Sequence, residues 1–141
     1  MPVTQEQARQ AVTLRVMQLH ATWTEFPLWI EFQNSKPVNI ATQVHPFIRV
    51  SLVYQGGEQV DLSDKPAHRA SGTLVVEALC KEGEGTAAAN RLLAHFYPHL
   101  QMTDSMYPVR AHAARFASHP PVLGWFAQAA LIPFWYDSIP A

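Results

Sequence analysis

The sequence is short of cysteine, of charge and of any long apolar run, and each shortage excludes something. Its one cysteine, Cys80, cannot form an internal disulfide. A lone thiol fits a reducing compartment, and its place in an alternating stretch reads as a small buried hydrophobe rather than a nucleophile. Charged residues make up 15% of the chain, well below the roughly 25% of an ordinary soluble domain. Either the core is generous or another chain covers part of the apolar surface. No run approaches the roughly 18 apolar residues of a spanning helix, and no basic-apolar-small leader opens the chain. The expected setting is the cytosol, or assembly within it, with no membrane partner. Lys and Arg number 10 against 11 Asp and Glu, for a net charge of -1. That balance argues against a protein whose main task is neutralising phosphates along a duplex. Neither GxxxxGK[ST] nor GxGxxG occurs, so Gly83-Glu84-Gly85 reads as part of a turn and not as a phosphate cradle.

What the chain does have is bulk. It is 48% hydrophobic, with four Trp, seven Phe and four Tyr. Its 141 residues suit a single domain, 1–141, that buries a core without metal or disulfide support. The organising stretch is 69–80. Leu74, Val76, Ala78 and Cys80 fall on one side at the two-residue period of a strand, and Thr73, Val75, Glu77 and Leu79 on the other. Branched side chains at Thr73, Val75 and Val76 favour extended backbone. This reads as a central strand whose apolar face holds helices, while its mixed face meets solvent or another subunit.

Around it the elements follow in order. Thr4 and Gln7 have capping-box spacing, so a helix is expected over 6–20, with Ala8, Ala11, Val12, Arg15, Val16 and Leu19 as its stripe and Leu14 and Met17 widening it. Residues 28–32 suit a short strand, with Trp29 as a core aromatic or, alternatively, an interface anchor. Residues 33–46 read as a crossing loop, and 47–54 alternate as a strand. Gly56-Gly57 predicts a sharp change of direction into a polar loop or hairpin arm over 58–67. Thr86 caps a second helix running to about Tyr97, with Ala89, Leu92, Leu93 and Phe96 on its apolar face and Pro98 ending it. A peripheral strand is expected from Val109 to Ala114, extended by Arg115-Phe116-Ala117, and His119-Pro120-Pro121 reads as a rigid connection. The last strand candidate, 122–136, is apolar on both faces; a helix is the competing reading, but the aromatics and the interior Pro133 favour a strand. Its Pro133 demands an edge, a bulge or a place beyond regular pairing. The fold class is therefore α/β (α+β): a mainly antiparallel sheet with two helices packed on one face.

Candidate chemistry is thin. His95 and His99 stand four apart, but Pro98 interrupts the helix that would align them as metal ligands. Glu82 and Glu84 share a glycine-rich turn, and Asp61 and Asp64 lie in the polar loop, with no complementary group placed around either pair. Arg49, Arg69, Arg110 and Arg115 suit ion pairs at an interface or a solvated face. No catalytic, metal or cofactor residue is assigned, and an enzyme is the minority reading.

The order of features resembles the bacteriophage tail-terminator-like, or tail completion, family. The pieces that carry the resemblance are Pro46-Phe47-Ile48-Arg49-Val50-Ser51-Leu52, then the 69–78 strand, then Gly83-Glu84-Gly85 and the Ala-rich helix ending at Phe96. Cys80 and Pro133 depart from the pattern. The resemblance implies a virion structural protein, not an enzyme, that ends tail-tube polymerisation and helps join tail to head. It implies self-association into a ring, hexameric by family, at the head-proximal end of the tail. Its partners would be the major tail tube protein and a head connector or neck protein, with DNA passing through the lumen without specific recognition. Another neck or head-tail adaptor of similar fold is the alternative, and a small α/β enzyme a more distant one. The 58–67 loop and the aromatic C-terminal strand are the interface candidates.

Overall fold

The computed structural model describes residues 3–33, 42–59, 68–83, 86–103 and 105–138, the side chains of 56–59, 120–122 and 138 excepted. Along the chain come helix α1 (Gln5–His20), strands β1 (Ile30–Phe32), β2 (Phe47–Gln59) and β3 (His68–Lys81), and helix α2 (Ala87–Phe96). Strands β4 (Arg110–Ala111), β5 (Arg115–Val122) and β6 (Trp125–Ser138) complete it. The six strands form one sheet in the order β1-β2-β3-β6-β4, with β5 also paired to β6. β1 runs parallel to β2, and the other described pairings are antiparallel. The architecture is α+β with both helices on one face of the sheet, as the sequence predicts.

Thr4 caps α1 as expected. Its hydroxyl accepts the Gln7 N–H at 3.1 Å, and the Gln7 side chain accepts the Thr4 N–H at 3.0 Å. Ala8, Val12, Val16 and Leu19 are buried against the sheet, but Leu14 and Met17 are 62% and 42% exposed. The buried stripe is thus narrower than the sequence pattern suggests. On α2, Ala89, Leu92, Leu93 and Phe96 are buried as predicted. Thr86 stands at the N-cap without a side-chain cap bond, and Pro98 sits in a short 3-10 turn, Tyr97–His99, that follows. These residues meet Ile48, Val50 and Leu52 of β2, Leu74, Val76, Ala78 and Cys80 of β3, and Ala130, Ile132, Phe134 and Tyr136 of β6 in one core. Each large side chain buried there is worth roughly 1.5–3 kcal/mol in transfer terms.

The opposite sheet face departs from expectation. Thr73 and Leu79 are buried rather than open to solvent. Leu79 packs with Phe47, Trp125 and Ala127 in a second, smaller cluster, in which the Phe47 and Trp125 rings meet edge to face at 5.2 Å. Trp29, read as a first-strand core aromatic, is 47% exposed. It precedes β1 and lends the ladder its backbone, its carbonyl accepting the Ile48 N–H, instead of its ring.

Gly56-Gly57 do not turn the chain. Strand β2 continues through them to Gln59, and the register against β3 shifts between Tyr54 and Gly56. The bulge has a cause across the strand pair: a Cβ at Gly72 would collide with the Val53 carbonyl oxygen and stand 2.9 Å from Phe134 Cζ. Only glycine permits that approach. The arm expected over 58–67 begins inside β2, and its remainder, 60–67, lies outside the described residues.

The C-terminal third is a hairpin rather than one strand after a connection. His119, Pro120 and Pro121 belong to β5, with an irregularity before Val122. Leu123 and Gly124 turn the chain at φ of 52° and 81°, the positive-φ pair of a primed two-residue hairpin turn. β6 then begins at Trp125. The peripheral strand expected from Val109 to Ala114 shrinks to the two residues of β4, and 112–114 lie between strands before β5 resumes.

Pro133 sits in that interruption. Toward β3 it stands opposite Thr73 in unbroken register. Toward β4 and β5 its carbonyl accepts the His112 N–H at 2.8 Å. The nitrogen of an antiparallel residue points to the same side as its carbonyl. The missing N–H of Pro133 therefore faces the gap between β4 and β5, where its absence costs least.

Candidate functional site

The described surface offers three features built by the fold: a cation-aromatic cluster on the helix-free face, an apolar cavity beside α1, and two open sheet edges. The first arises from cross-strand register. Ser71 and Arg110 both stand opposite Trp135, and Arg69 stands opposite Asp137. The Arg69 guanidinium lies 4.2 Å from the Trp135 ring centroid, and that of Arg110 lies 5.4 Å away. Arg69 also donates from Nε and Nη2 to the two Asp137 carboxylate oxygens at 2.9 and 3.3 Å. The pair is fork-shaped but about two-fifths exposed on each side, so its geometry orients the indole more than it stabilises the fold. Farther along the same face Arg49 Nε donates to Glu31 at 3.2 Å, while Arg115 is exposed.

The cavity lies between the N-terminal half of α1 and the outer side of β2. Its volume is about 470 Å³, with Val12, Phe32, Val50, Leu52 and Tyr54 among its walls and Glu6 and Arg9 at its rim. Glu6 accepts from Arg9 Nε at 2.8 Å, and the hydrogen bond to Arg9 holds its carboxyl below the usual carboxylate range. Tyr54 turns its ring inward, edge to face with Phe134 at 5.7 Å, and its hydroxyl is buried without a geometrically aligned partner. Burial raises the phenol pKa of Tyr54 and of its neighbour Tyr136 above the ordinary value.

At this cavity the β1–β2 ladder ends. Gln33 N–H donates to the Val50 carbonyl at 3.1 Å, and the Gln33 side-chain oxygen accepts the Leu52 N–H at 3.1 Å, so an amide side chain supplies the last rung. Beyond it, among the described residues, the Leu52 carbonyl and both main-chain groups of Tyr54 face outward without a strand partner. At the other end of the sheet, among the described residues, β5 pairs with β6 alone. There Phe116, 58% exposed, has its ring edge to face with Tyr97 at 4.9 Å.

Other residues singled out by sequence go elsewhere. His95 points its Nε2 at the Leu19 carbonyl, 2.9 Å away, and lies 2.8 Å from the Thr22 hydroxyl, tying α2 to the end of α1. His99 is exposed, and its carbonyl accepts the Ser105 hydroxyl at 3.2 Å. Cys80 is buried in the main core. Glu82 is exposed, whereas Glu84, Asp61 and Asp64 lie outside the described residues. Among the described residues no three His, Cys, Asp or Glu side chains gather as a metal-sized group, and no helix is long and apolar enough to cross a membrane. Sequence reading missed both the cavity and the Trp135 cluster. The available signal for the cluster was two arginines and a tryptophan on alternating strands, meaningless until the register is known.

No protein-family model matches the chain, and no curated protein matches it. Among solved structures it is similar to a chain whose designation carries no function, at 14% identity, covering 99% of this chain and 97% of that one. The superposition has a TM-score of 0.67, which establishes a shared fold across essentially the whole of both chains.

Proposed function

We propose that this chain is a phage virion structural protein that ends tail-tube polymerisation and helps join tail to head. The observation that supports it is the division of one sheet into separate surfaces. Two helices cover one face, the other carries the Arg69–Trp135–Arg110 cluster, and among the described residues β2 and β5 keep open edges. A terminator needs that division, because subunit edges must close a ring while its two ends meet different partners. In this reading the chain assembles as a ring, hexameric by family resemblance, between the major tail tube protein and a head connector or neck protein. DNA crosses its lumen without base recognition, and no bond chemistry is involved. The protein acts in the virion at the head-proximal end of the tail, after assembly in the host cytoplasm.

The test uses purified tail tubes during polymerisation. Added protein is expected to arrest growth and to appear by electron microscopy as a density at one tube end. Monomers that never associate with tubes overturn the reading. Binding to head connectors with no effect on tube length reassigns the chain to the neck.

A further inference from the structure

We propose that copies of this chain join edge to edge, β5 of one copy lying antiparallel on β2 of the next, with Phe116 seated in the cavity between α1 and β2. The proposal rests on the ring reading above and supplies its subunit contact.

The two edges are complementary in hydrogen bonding. Odd-numbered residues of β6 direct their main-chain groups toward β4 and β5, as the Pro133 carbonyl does in accepting from His112. Their β5 partners Arg115, Ala117 and His119 consequently point inward to β6. Phe116 and Ser118 then direct their N–H and C=O groups outward, while Pro120 has no N–H to offer. On β2, among the described residues, the outward groups without a strand partner are the Leu52 carbonyl and the N–H and C=O of Tyr54, the Leu52 N–H being held by the Gln33 side chain. Among the described residues, each edge thus presents a short stretch of donors and acceptors that no strand uses. The proline at one end of the β5 stretch and the end of β1 beside the β2 stretch confine pairing to a few residues.

The side chains are complementary too. Phe116 stands opposite Ala130, a residue of the main core, so its ring lies on the helical side of the sheet. The cavity lies on that same side at the opposite edge, walled by Val12, Phe32, Val50, Leu52 and Tyr54. A cavity of roughly 150 Å³ accepts a benzene ring, and this one measures about 470 Å³. An exposed aromatic at one end of the sheet and an apolar cavity at the other make a heterologous contact, which repeats around a ring. β2, β3, β6 and β5 alternate in direction, so rotation about an axis along the strands brings β5 antiparallel to the next β2 and continues the sheet.

The test is self-association by analytical ultracentrifugation of the full chain, with three variants of matched thermal stability. Phe116→Ser removes the inserted ring, and Ser118→Pro removes an outward N–H without touching the β6 ladder. Met17→Ser alters an exposed apolar residue elsewhere. The expected result is association weakened at least tenfold by each of the first two and unchanged by the third. Rings of unaltered strength in both edge variants, still capping tail tubes, overturn the edge contact and leave the terminator reading standing. A wild-type chain that is monomeric and does not cap tubes overturns both. As a direct check in a Cys80→Ala background, a copy with Thr13→Cys, at a position lining the cavity, mixed with a Phe116→Cys copy is expected to give a disulfide-linked pair. Dominant linkage of Phe116→Cys copies to one another, or no mixed pair where the wild type is oligomeric, overturns the contact.

Discussion

The Pro133 carbonyl accepts the His112 N–H at 2.8 Å, while the His112 carbonyl accepts instead from Met102 N–H at 3.2 Å. The oxygen that would have received an N–H from residue 133 is therefore served by another chain segment. This substitution lets a proline stand within a fourteen-residue strand that is paired on both sides. Pro133→Ala is expected to change unfolding free energy by less than about 1 kcal/mol, since no ladder bond is gained or lost. Ala130→Pro, three residues earlier, removes an N–H directed at β3 and is expected to cost about 1–3 kcal/mol, the penalty of leaving a buried carbonyl of β3 without its donor. Urea titrations of the two variants compare them directly; equal losses would mean that the interruption does not accommodate the proline.

Gly72 explains the bulge that the sequence disguised as a turn. Any side chain there meets the Val53 carbonyl, a backbone atom that cannot rotate away, and the Phe134 ring. Gly72→Ala is expected to destabilise the fold by about 3 kcal/mol, at the upper end of overpacking costs. Hydrogen exchange is expected to show the loss first at 53–57, the bulged part of β2. A variant as stable as the parent would place the bulge's origin elsewhere.

Leu123 is the opposite case, a residue whose replacement should help. It takes φ of 52° at the β5–β6 turn and is 79% exposed. A left-handed conformation costs a leucine roughly 1–2 kcal/mol, and little burial is lost by removing the side chain. Leu123→Asn, which tolerates that conformation, is expected to raise stability by about 1 kcal/mol in thermal or urea unfolding. Loss of stability would show that the leucine side chain contributes packing that its exposure does not reveal.

These cases mark what the sequence could and could not convey. The central strand and both helices were legible because period-2 and period-3.6 patterns are local, although Leu14 and Met17, read as part of the first helix's apolar stripe, are exposed. Gly56-Gly57 and His119-Pro120-Pro121 misled because glycine and proline mark bulges and edge strands as readily as turns, and the distinction lies in the partner strand. Gly72 is a long-range neighbour of Phe134, and nothing near either residue announces it. The burial of Leu79 on the second face depended on Phe47 and Trp125 arriving from two other strands. Assembly surfaces were least legible of all. Their ingredients, an exposed Phe116 and a cavity against α1, lie at opposite ends of a sheet whose order is not the order of the chain.

The paired phenols beneath α1 predict a response to alkali. Burial is the largest cause of the raised pKa at both Tyr54 and Tyr136, and each also feels the other. A raised folded pKa means that above the unfolded value, near 10, the unfolded chain releases protons that the folded chain still holds. The contribution to stability is therefore fully present below about pH 10 and is lost as pH rises from there through the folded pKa. Unfolding free energy followed from pH 8 to 11 is expected to be flat with respect to these groups at first and then to fall. Tyr54→Phe with Tyr136→Phe is expected to flatten the alkaline fall. An unchanged slope in the double variant would assign alkaline unfolding to other groups and leave the buried phenols as packing alone.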